Sequence, residues 1–394
     1  MSDNIATTET PTDAQRDIIE WGDGPVVVIA GAGSGKTRVI VQRVLHLLQT
    51  KGEATLTADG ALLPSPPSSG VGPDDPFAGP LLPEQILVLT YNVKAAKELS
   101  DRIEKEIGAA ARARVTVSNF HSFCHRILTE SAADAGLPTR PDVLDGIGQV
   151  LLLRDLRPEL PITYFAGGGN PEYWLDQLVA FINRAKDELV TPIDFEAFVA
   201  SEREVFEERY GDYETARVRV EAQGNLKPLR EIRSAYAAVR RAERAEEASD
   251  DTAEPDFTKV EKVADREARR AVAGDGRAHS RKDFDEAELP EIDALTETYV
   301  ADGAALEVMR LTELGIVYRA YQEELAQRGT LDFGEQISLV TRLFKQKPNV
   351  LRRYQRTYRY LLVDEFQDAN IAQIELIELL GRTPDRPDNV MVVG

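Results

Sequence analysis

The stretch "VVVIAGAGSGKTRVI", residues 26–40, joins an apolar run to a glycine-rich turn and then to the start of a helix. Residues 26–30 have the apolar character of a buried strand, and residues 36–49 have the periodicity of a helix. Glycines between a strand and a helix let backbone N–H groups converge on phosphate at the helix N-terminus. The stretch therefore predicts a phosphate-binding loop within an α/β domain.

The composition fits a globular chain of ordinary hydrophobicity. With 394 residues, of which 42% are hydrophobic, the chain is long enough for two domains with separate cores. The single cysteine, Cys124, excludes an internal disulfide bond and a cysteine-rich metal cluster. The acidic N-terminus does not resemble a signal peptide, and no apolar run is long enough to span a membrane. We therefore expect a cytoplasmic protein with no membrane partner.

The net charge of −20 argues at first against a nucleic-acid partner, because nucleic-acid-binding domains usually carry a basic face. The chain, however, has only 12 lysines against 35 arginines. An acid-rich, lysine-poor surface suits concentrated salt, where the screening length falls to about 3 Å at 1 M and like charges repel weakly. We interpret the acidity as an adaptation to salt, which says little about partners.

Strands alternate with helices at both ends of the chain, whereas the middle is helical and charged. Further strands are predicted at four places, namely residues 86–90, 115–117, 360–364 and 389–393. Such alternation is typical of a parallel α/β domain. We expect residues 1–130 and 310–394 to form that domain together, with residues 131–309 as a largely helical insertion.

Two segments have the composition of irregular chain. Residues 50–83 hold seven of the 21 prolines, and so much proline and glycine predicts a flexible surface insertion. Residues 243–291 are polar enough to predict partial disorder.

Side chains suited to nucleotide chemistry occur at two distant places. Lys36 can reach the β and γ oxygens of a nucleotide, and the Thr37 hydroxyl can ligate Mg²⁺. At the end of "YLLVDEFQD", Asp364 follows a buried strand and can hold the metal, while Glu365 can accept a proton from attacking water. The alternatives are a glycine-rich turn of purely structural use and an acidic strand end that caps the next helix.

The chain resembles the N-terminal half of a UvrD/Rep-type superfamily 1 DNA helicase. The stretches that match the family in order are "TDAQRDII", "AGAGSGKTRVI", "LTYNVKAAKEL", "NFHSFCHRIL", "LDFGEQI" and "LLVDEFQDAN". The resemblance covers residues 12–130 and 311–394, and across the middle it depends mainly on position. It implies a RecA-like P-loop domain with a parallel sheet, interrupted by an inserted helical domain.

The resemblance also implies ATP and Mg²⁺ as cofactors. The implied nucleotide-binding residues are Gln15, Ala30, Gly31, Ala32, Gly33, Ser34, Gly35, Lys36, Thr37 and Arg38. Gln15 would read the adenine edge and Arg38 would lie against the adenine ring. A capping box formed by Thr12 and Gln15, and a solvated helix arginine at position 38, are the alternatives.

A motor that walks on one DNA strand needs aromatic faces for bases and donors for phosphates. The candidates directly after two predicted strands are Tyr91, Asn92, Phe120, His121 and Ser122. Core packing is the alternative for Phe120 and the favoured interpretation for Phe123. The basic, aromatic stretch "RRYQRTYRY", residues 352–360, is interpreted as helix and strand surface first and as a DNA contact second.

The combined expectation is the ATP-binding half of an ATP-dependent DNA helicase acting on single-stranded DNA or DNA junctions, as in DNA repair. In the family a second motor domain follows, whereas this chain ends at Gly394, so the expected setting is either a whole enzyme or one reassembled with a second chain that supplies that domain. Two alternatives remain open: a nucleotide- and DNA-binding remnant without motor activity, and the motor portion of a helicase–nuclease.

Overall fold

A computed structural model describes residues 10–31, 33–52, 54–56, 62–64, 79–165, 171–223, 225–249, 255–383 and 387–394. The chain divides into two compact units. The first, here called the sheet unit, comprises Met1–Asp145, Lys186–Leu189 and Gly329–Gly394. The second, here called the helical unit, comprises Gly146–Ala185 and Val190–Arg328.

The described residues form nine strands and fifteen α-helices. The strands are β1 Val26–Val28, β2 Ala54–Leu56, β3 Leu62–Pro64, β4 Ile86–Thr90, β5 Thr116–Asn119, β6 Asp142–Leu144, β7 Thr330–Asp332, β8 Tyr360–Val363 and β9 Val390–Val393. The helices are α1 Asp13–Ile19, α2 Lys36–Lys51, α3 Val93–Ile107, α4 Ala109–Arg112, α5 Phe120–Glu130, α6 Gly146–Leu156, α7 Pro171–Asp187, α8 Pro192–Tyr210, α9 Tyr213–Ala222, α10 Lys227–Ser249, α11 Thr258–Ala273, α12 Leu289–Arg328, α13 Phe333–Gln346, α14 Pro348–Thr357 and α15 Ile371–Gly381.

The sheet unit is built on a five-stranded sheet in the order β1-β9-β8-β4-β5, and all of its pairings are parallel. The carboxyl ends of all five strands therefore meet at one edge, here called the carboxyl edge, and their starts meet at the amino edge. Parallel sheets are buried on both faces, and every residue of β4 and β8 is buried accordingly. The predicted α/β class, with a parallel sheet and a helical insertion, is confirmed.

Alternation along the central strands divides the core of the sheet unit into two layers. Ile86 and Val88 belong to a cluster with residues of α1, α2 and α3. Leu87 and Leu89 belong to a second cluster with residues of α5, α13, α14 and α15. Successive strand side chains point to opposite faces, so helices cover the sheet on both sides.

The helical unit packs four helices, α8 to α11, against the long helix α12. Its core includes Phe206, Ile232, Val260 and Leu306. Gly303 lies where α12 meets α10, because a Cβ at this position would lie 2.4 Å from Ile232 Cγ2. Within the described part of the chain, no helix combines the length and the apolar character needed to cross a lipid bilayer.

The unit boundaries lie at residues 145/146 and 328/329 rather than after residues 130 and 309. The second boundary lies later than predicted because α12 runs without interruption from Leu289 to Arg328. The first boundary also lies later than predicted, because β6 pairs in parallel with β7 and so belongs to the sheet unit. The β6–β7 pairing has no local sequence signal, since it joins segments that are distant in the sequence.

The expected flexible insertion at residues 50–83 contains regular structure where it is described. Helix α2 continues to Lys51, and β2 pairs with β3 in an antiparallel hairpin. So much proline and glycine is unfavourable for paired strands, but β2 and β3 contain no proline except Pro64, the last residue of β3. Residues 53, 57–61 and 65–78 lie outside the described residues.

The stretch expected to be partly disordered, residues 243–291, is largely helical where it is described. Helix α10 continues to Ser249, and α11 follows from Thr258 to Ala273. On helix α11, Val260, Ala264 and Ala268 form a stripe of fully buried side chains. Burial of this stripe stabilises the helix. A short apolar stripe with period 3.6 outweighs a polar composition. Residues 250–254 lie outside the described residues.

Candidate nucleotide and DNA site at the carboxyl edge

The predicted phosphate loop joins β1 to α2. Gly33 and Gly35 have φ values of +78° and +88°, a region that side-chain-bearing residues rarely adopt. Gly35 is the N-cap of α2 and offers no side-chain cap, so the first amides of this 16-residue helix lack an acceptor from their own helix. The loop therefore presents backbone donors to an anion.

The loop is anchored to the sheet and to α1. The Ala30 N–H donates to the Gly394 carbonyl at 2.8 Å, and the Gly394 N–H donates to the Val28 carbonyl at 2.9 Å. Gln15 Nε2 donates to the Ser34 carbonyl at 2.9 Å. A Cβ at position 35 would lie 3.1 Å from Gln15 Nε2, so a side chain there would press on Gln15 in addition to straining the backbone at its positive φ.

Gln15 also completes the capping box of α1. Its side-chain oxygen accepts from the Thr12 N–H at 3.0 Å, and its own N–H donates to Thr12 Oγ1 at 3.3 Å. An amide group has two N–H donors and an oxygen with two lone pairs. These bonds leave Gln15 one donor and one acceptor for a ligand, so the capping box and an adenine contact are compatible.

Asp364 and Glu365 follow β8 at the carboxyl edge. The Asp364 N–H extends the ladder by donating to the Leu89 carbonyl at 2.9 Å, and the residue is only 5% exposed. Burial raises the pKa of the Asp364 carboxyl, and the adjacent Glu365 carboxylate raises it further. Lys36 Nζ lies 3.8 Å from Glu365 Oε2. The structure thus brings together Lys36, Asp364 and Glu365, which are far apart in the sequence.

Glu365 has a left-handed backbone, with φ +54° and ψ +44°. For a residue with a long side chain this conformation costs roughly 1–2 kcal/mol, and such strain is concentrated at functional sites. The side chain of Glu365 accepts a hydrogen bond from Gln367 Nε2 at 2.5 Å and remains 43% exposed. The strained turn holds a carboxylate in solvent directly beside a buried one.

The arrangement fits a nucleotide with a divalent cation. Asp364 and Glu365 lie beside the Lys36 ammonium, and the positive charges of Lys36 and Arg102 lower the pKa of Asp364 without bringing it back to its ordinary value. Thr37, on the first turn of α2, is half-buried and supplies a hydroxyl oxygen of the type that Mg²⁺ prefers. Arg38, on the same turn, is also half-buried, Gly31 and Ser34 are exposed, and Ala32 lies outside the described residues.

The predicted DNA residues follow two adjacent strands. Thr90 of β4 pairs with Asn119 of β5, so Tyr91 and Phe120 stand at matching positions of the carboxyl edge. Tyr91 is 50% exposed, as a base-stacking residue must be. Asn92 is exposed and caps α3, because its side-chain oxygen accepts from the Ala95 N–H at 2.8 Å.

The prediction that Phe120 contacts DNA is wrong. Phe120 is 2% exposed and lies in the same core cluster as Phe123 and the buried thiol of Cys124. Helix α5 begins at Phe120, and its side chain turns inward to the face that packs on α13. A ring enclosed in this way has no face left for a base.

His121 and Ser122 remain accessible, and a further aromatic joins them. The His121 ring contacts the Phe333 ring edge to face, with the centroids 5.8 Å apart. Phe333 is 52% exposed and directly follows β7, and Ser122 is exposed on α5. Burial lowers the pKa of His121, which keeps the ring neutral at neutral pH. Sequence reasoning missed Phe333, although an aromatic directly after a strand was the signal used for Tyr91.

Comparison with known proteins agrees with this geometry. A family model described as the UvrD/REP helicase N-terminal domain matches residues 11–302 and 246–394. Similar curated proteins are the ATP-dependent DNA helicases PcrA of Leuconostoc citreum, Staphylococcus aureus and Staphylococcus epidermidis, each 23% identical over 380 residues. These matches cover 96% of this chain but 32% of each relative, so the chain spans about a third of their length. The resemblance seen in the sequence is confirmed, and the chain belongs to the UvrD/REP helicase N-terminal domain family.

Proposed function

We propose that this chain is the ATP-binding part of a DNA helicase that couples ATP hydrolysis to movement on single-stranded DNA. The observation that supports this most is the convergence of Lys36, Asp364 and Glu365 beside a glycine loop at the carboxyl edge. The relatives are named ATP-dependent DNA helicases, and they are about three times longer than the part matched here.

In this proposal the loop from Ala30 to Thr37 holds the phosphates, with backbone N–H groups and the Lys36 ammonium as donors. Gln15 reads the adenine edge with its remaining N–H and lone pair, and it fixes the loop through Ser34 at the same time. Arg38 stacks its guanidinium plane on the adenine ring.

Thr37 and Asp364 would hold Mg²⁺, which supplies charge neutralisation to the β and γ phosphates. Burial is the main cause of the raised pKa of Asp364, and the Glu365 carboxylate is the second; a divalent cation would favour the ionised carboxylate and so oppose both. Glu365 accepts the proton of the attacking water, because its side chain is exposed and adjacent to Lys36.

DNA lies along the carboxyl edge in this proposal. Tyr91 and Phe333 offer half-exposed rings for bases, and His121 supports the Phe333 ring by edge-to-face contact. Ser122 and the side-chain N–H₂ of Asn92 offer donors to phosphate oxygens.

The test separates nucleotide binding from turnover. Lys36→Ala removes a charge-assisted contact of about 1.5–3 kcal/mol, so the affinity for Mg²⁺–ATP should fall about tenfold to a hundredfold in a titration. Glu365→Gln retains the size of the side chain but removes the base, so binding should persist while hydrolysis falls. The matched control is Lys105→Ala, which removes an exposed lysine near the C-terminus of α3 and should change neither the affinity for Mg²⁺–ATP nor the hydrolysis rate. Equal nucleotide affinity of Lys36→Ala and the unmodified protein would refute the phosphate-loop assignment.

A further inference from the structure

A compact group of cations lies on and next to α14. Lys347, Arg352, Arg353 and Arg356, here called the basic face, are all exposed. Among the described residues, no carboxylate lies within salt-bridge distance, 4.0 Å, of any of these four side chains. Asp134 lines the same surface pocket as Lys347, Arg352 and Arg353, and Glu130 accepts from the Tyr354 hydroxyl that Arg353 contacts. On a chain with a net charge of −20, the four cations still outnumber these two acids.

The basic face is carried by a helix that is fixed in place. Val350 and Tyr354 on its inner side are buried in the core of the sheet unit. Tyr354 donates its hydroxyl hydrogen to Glu130 Oε2 at 2.7 Å, and Gln355 Nε2 donates to the Leu379 and Arg382 carbonyls at 2.8 and 2.9 Å. A ligand would therefore meet cations on a rigid backbone, which lowers the entropy lost on binding.

Within the basic face, hydrogen bonds orient the Arg353 side chain before any ligand binds. Arg353 Nη2 donates to Ser131 Oγ at 2.7 Å and to the Tyr354 hydroxyl at 3.1 Å. Its guanidinium also lies 5.0 Å from the centre of the Tyr354 ring. These contacts use few of the five N–H donors of a guanidinium, so the others remain for a ligand.

The basic face borders a cavity of about 360 Å³ whose lining consists of Asn349, Arg352, Arg353 and Arg356. Arginine offers donors and no acceptor. The one amide oxygen in the lining, Asn349 Oδ1, is 3.4 Å from Arg352 Nη1. The cavity thus suits a ligand that only accepts hydrogen bonds, and guanidinium groups match phosphate oxygens in pairs.

The basic face lies away from the nucleotide site. Helix α14 ends just before β8 begins, whereas Asp364 follows the end of β8. A strand advances about 3.3 Å per residue, so the four residues of β8 separate the C-terminus of α14 from the carboxyl edge by roughly 13 Å. The cations therefore belong to the amino edge and do not take part in the site described above.

We propose that the basic face binds the backbone phosphates of DNA, as a second contact apart from the carboxyl edge. Lys347 to Arg356 spans about 14 Å of helix at 1.5 Å per residue. At 3.4 Å per phosphate along one strand, this length matches about four phosphates. A peptide partner fits less well, since its backbone N–H groups need acceptors and the side chains of this lining supply only one, Asn349 Oδ1. The proposal rests on the proposed function, which brings DNA to the protein.

The test is the salt dependence of DNA binding. The triple substitution Lys347→Ala, Arg352→Ala and Arg356→Ala removes three cations but leaves Arg353 with its contacts to Ser131 and Tyr354. With a short labelled DNA duplex, the slope of log K against log salt should become shallower by about 2–3, since each lost phosphate contact contributes about 0.9. Binding of Mg²⁺–ATP should not change. Circular dichroism at each salt concentration verifies that both proteins are folded.

The matched control removes three arginines that have acidic partners, Arg217, Arg281 and Arg319. It changes the net charge equally and should keep the slope of the unmodified protein. An unchanged slope in the triple variant of the basic face would overturn the proposal. So would a polyglutamate peptide that binds the unmodified protein but not this variant while the duplex binds both, because the partner would then be an acidic polypeptide.

A further arm distinguishes DNA from free phosphate. Inorganic phosphate at the same concentration of phosphate groups should displace the duplex only weakly if several contacts along one strand are made together. Equal displacement would overturn the proposal in favour of a single-anion site. The Lys36→Ala titration is independent of all three arms, so a failure of the proposed function and a failure of the basic face give different results.

Discussion

The helical unit and the carboxyl edge of the sheet unit each hold a cluster of acids and bases, and they differ in how well these charges are satisfied. In the helical unit, Arg240 donates to Glu202 from Nε and Nη2 at 3.2 and 2.9 Å, and it also pairs with Glu243. Arg209 and Arg244 complete the cluster with bonds of 2.7 and 2.9 Å. At the carboxyl edge, one ammonium faces two carboxylates, and the distance from Lys36 to Glu365 is 3.8 Å.

The pKa values of one carboxyl group from each cluster, Glu243 and Asp364, are shifted in opposite directions. Burial raises the pKa of Glu243, but hydrogen bonds from Arg209 and Arg240 outweigh this effect, so the pKa lies below its ordinary value. Burial also raises the pKa of Asp364, and there the neighbouring Glu365 adds to the shift instead of opposing it. Hydrogen bonds from arginines thus satisfy the Glu243 carboxylate, whereas the buried Asp364 carboxyl keeps a raised pKa beside a second carboxylate.

The largest loss of folding stability is expected when Arg240 is removed from the cluster in the helical unit. Arg240→Ala leaves Glu202 and Glu243 buried with fewer partners, and breaking a buried pair in this way costs about 3–5 kcal/mol. Urea unfolding should show this loss as a lower midpoint. The neighbouring Arg241 is exposed, so Arg241→Ala is the matched control and should stay within about 0.5 kcal/mol of the unmodified protein. Equal unfolding midpoints for the two variants would remove the distinction between the clusters.

A smaller effect is expected at the aromatic side of the carboxyl edge. Tyr91 is half-exposed, so Tyr91→Ala should change the unfolding midpoint little and instead weaken binding of single-stranded DNA by about 1–3 kcal/mol. The measurement is fluorescence anisotropy with a labelled oligonucleotide. Trp21→Ala, a partly exposed aromatic that precedes the amino end of β1, is the control. A loss of stability without a loss of DNA binding would show that Tyr91 is a packing residue.

The smallest effect is expected from removing one carboxylate in each cluster, and the melting temperature should shift in opposite directions in the two variants. The lowered pKa of Glu243 contributes stability above its unfolded pKa, near 4.3, and this contribution is lost as the pH falls through the folded value. The raised pKa of Asp364 contributes stability below its unfolded pKa, near 3.9, and this contribution is lost as the pH rises through the folded value. At neutral pH, Glu243→Gln should therefore lower the melting temperature and Asp364→Asn should raise it. Both differences should shrink towards pH 3, and equal signs at neutral pH would contradict the comparison.

Local chemistry was sufficient to predict much of the motif-bearing sheet unit. The helix predicted for residues 36–49 is the core of α2, and the strand predicted for residues 86–90 is β4. The glycines of the phosphate loop were predicted from the backbone freedom that a tight turn requires, and Gly33 and Gly35 have positive φ. These features depend on residues within one turn or one strand, so the sequence contains their cause.

Burial at the DNA edge could not be predicted in the same way. Phe120 and His121 are adjacent and both follow β5, yet Phe120 is in the core and His121 contacts the ring of Phe333. Which of the two is accessible depends on α13, which packs against α5 from more than two hundred positions away. No local pattern contains that information.

The sequence by itself determined the α/β class and the family, and it predicted a phosphate loop and an acidic pair at Asp364 and Glu365, because each of these depends on residue types at short spacing. Only the tertiary structure decided which charges are satisfied. It assembled Arg240, Glu202 and Glu243 into a closed cluster, left Lys36 facing two carboxylates, and left the basic face without acidic partners among the described residues. The physical reason is that the energy of a charge depends on its burial and on its neighbours within a few ångströms, and these are fixed only when distant segments pack together.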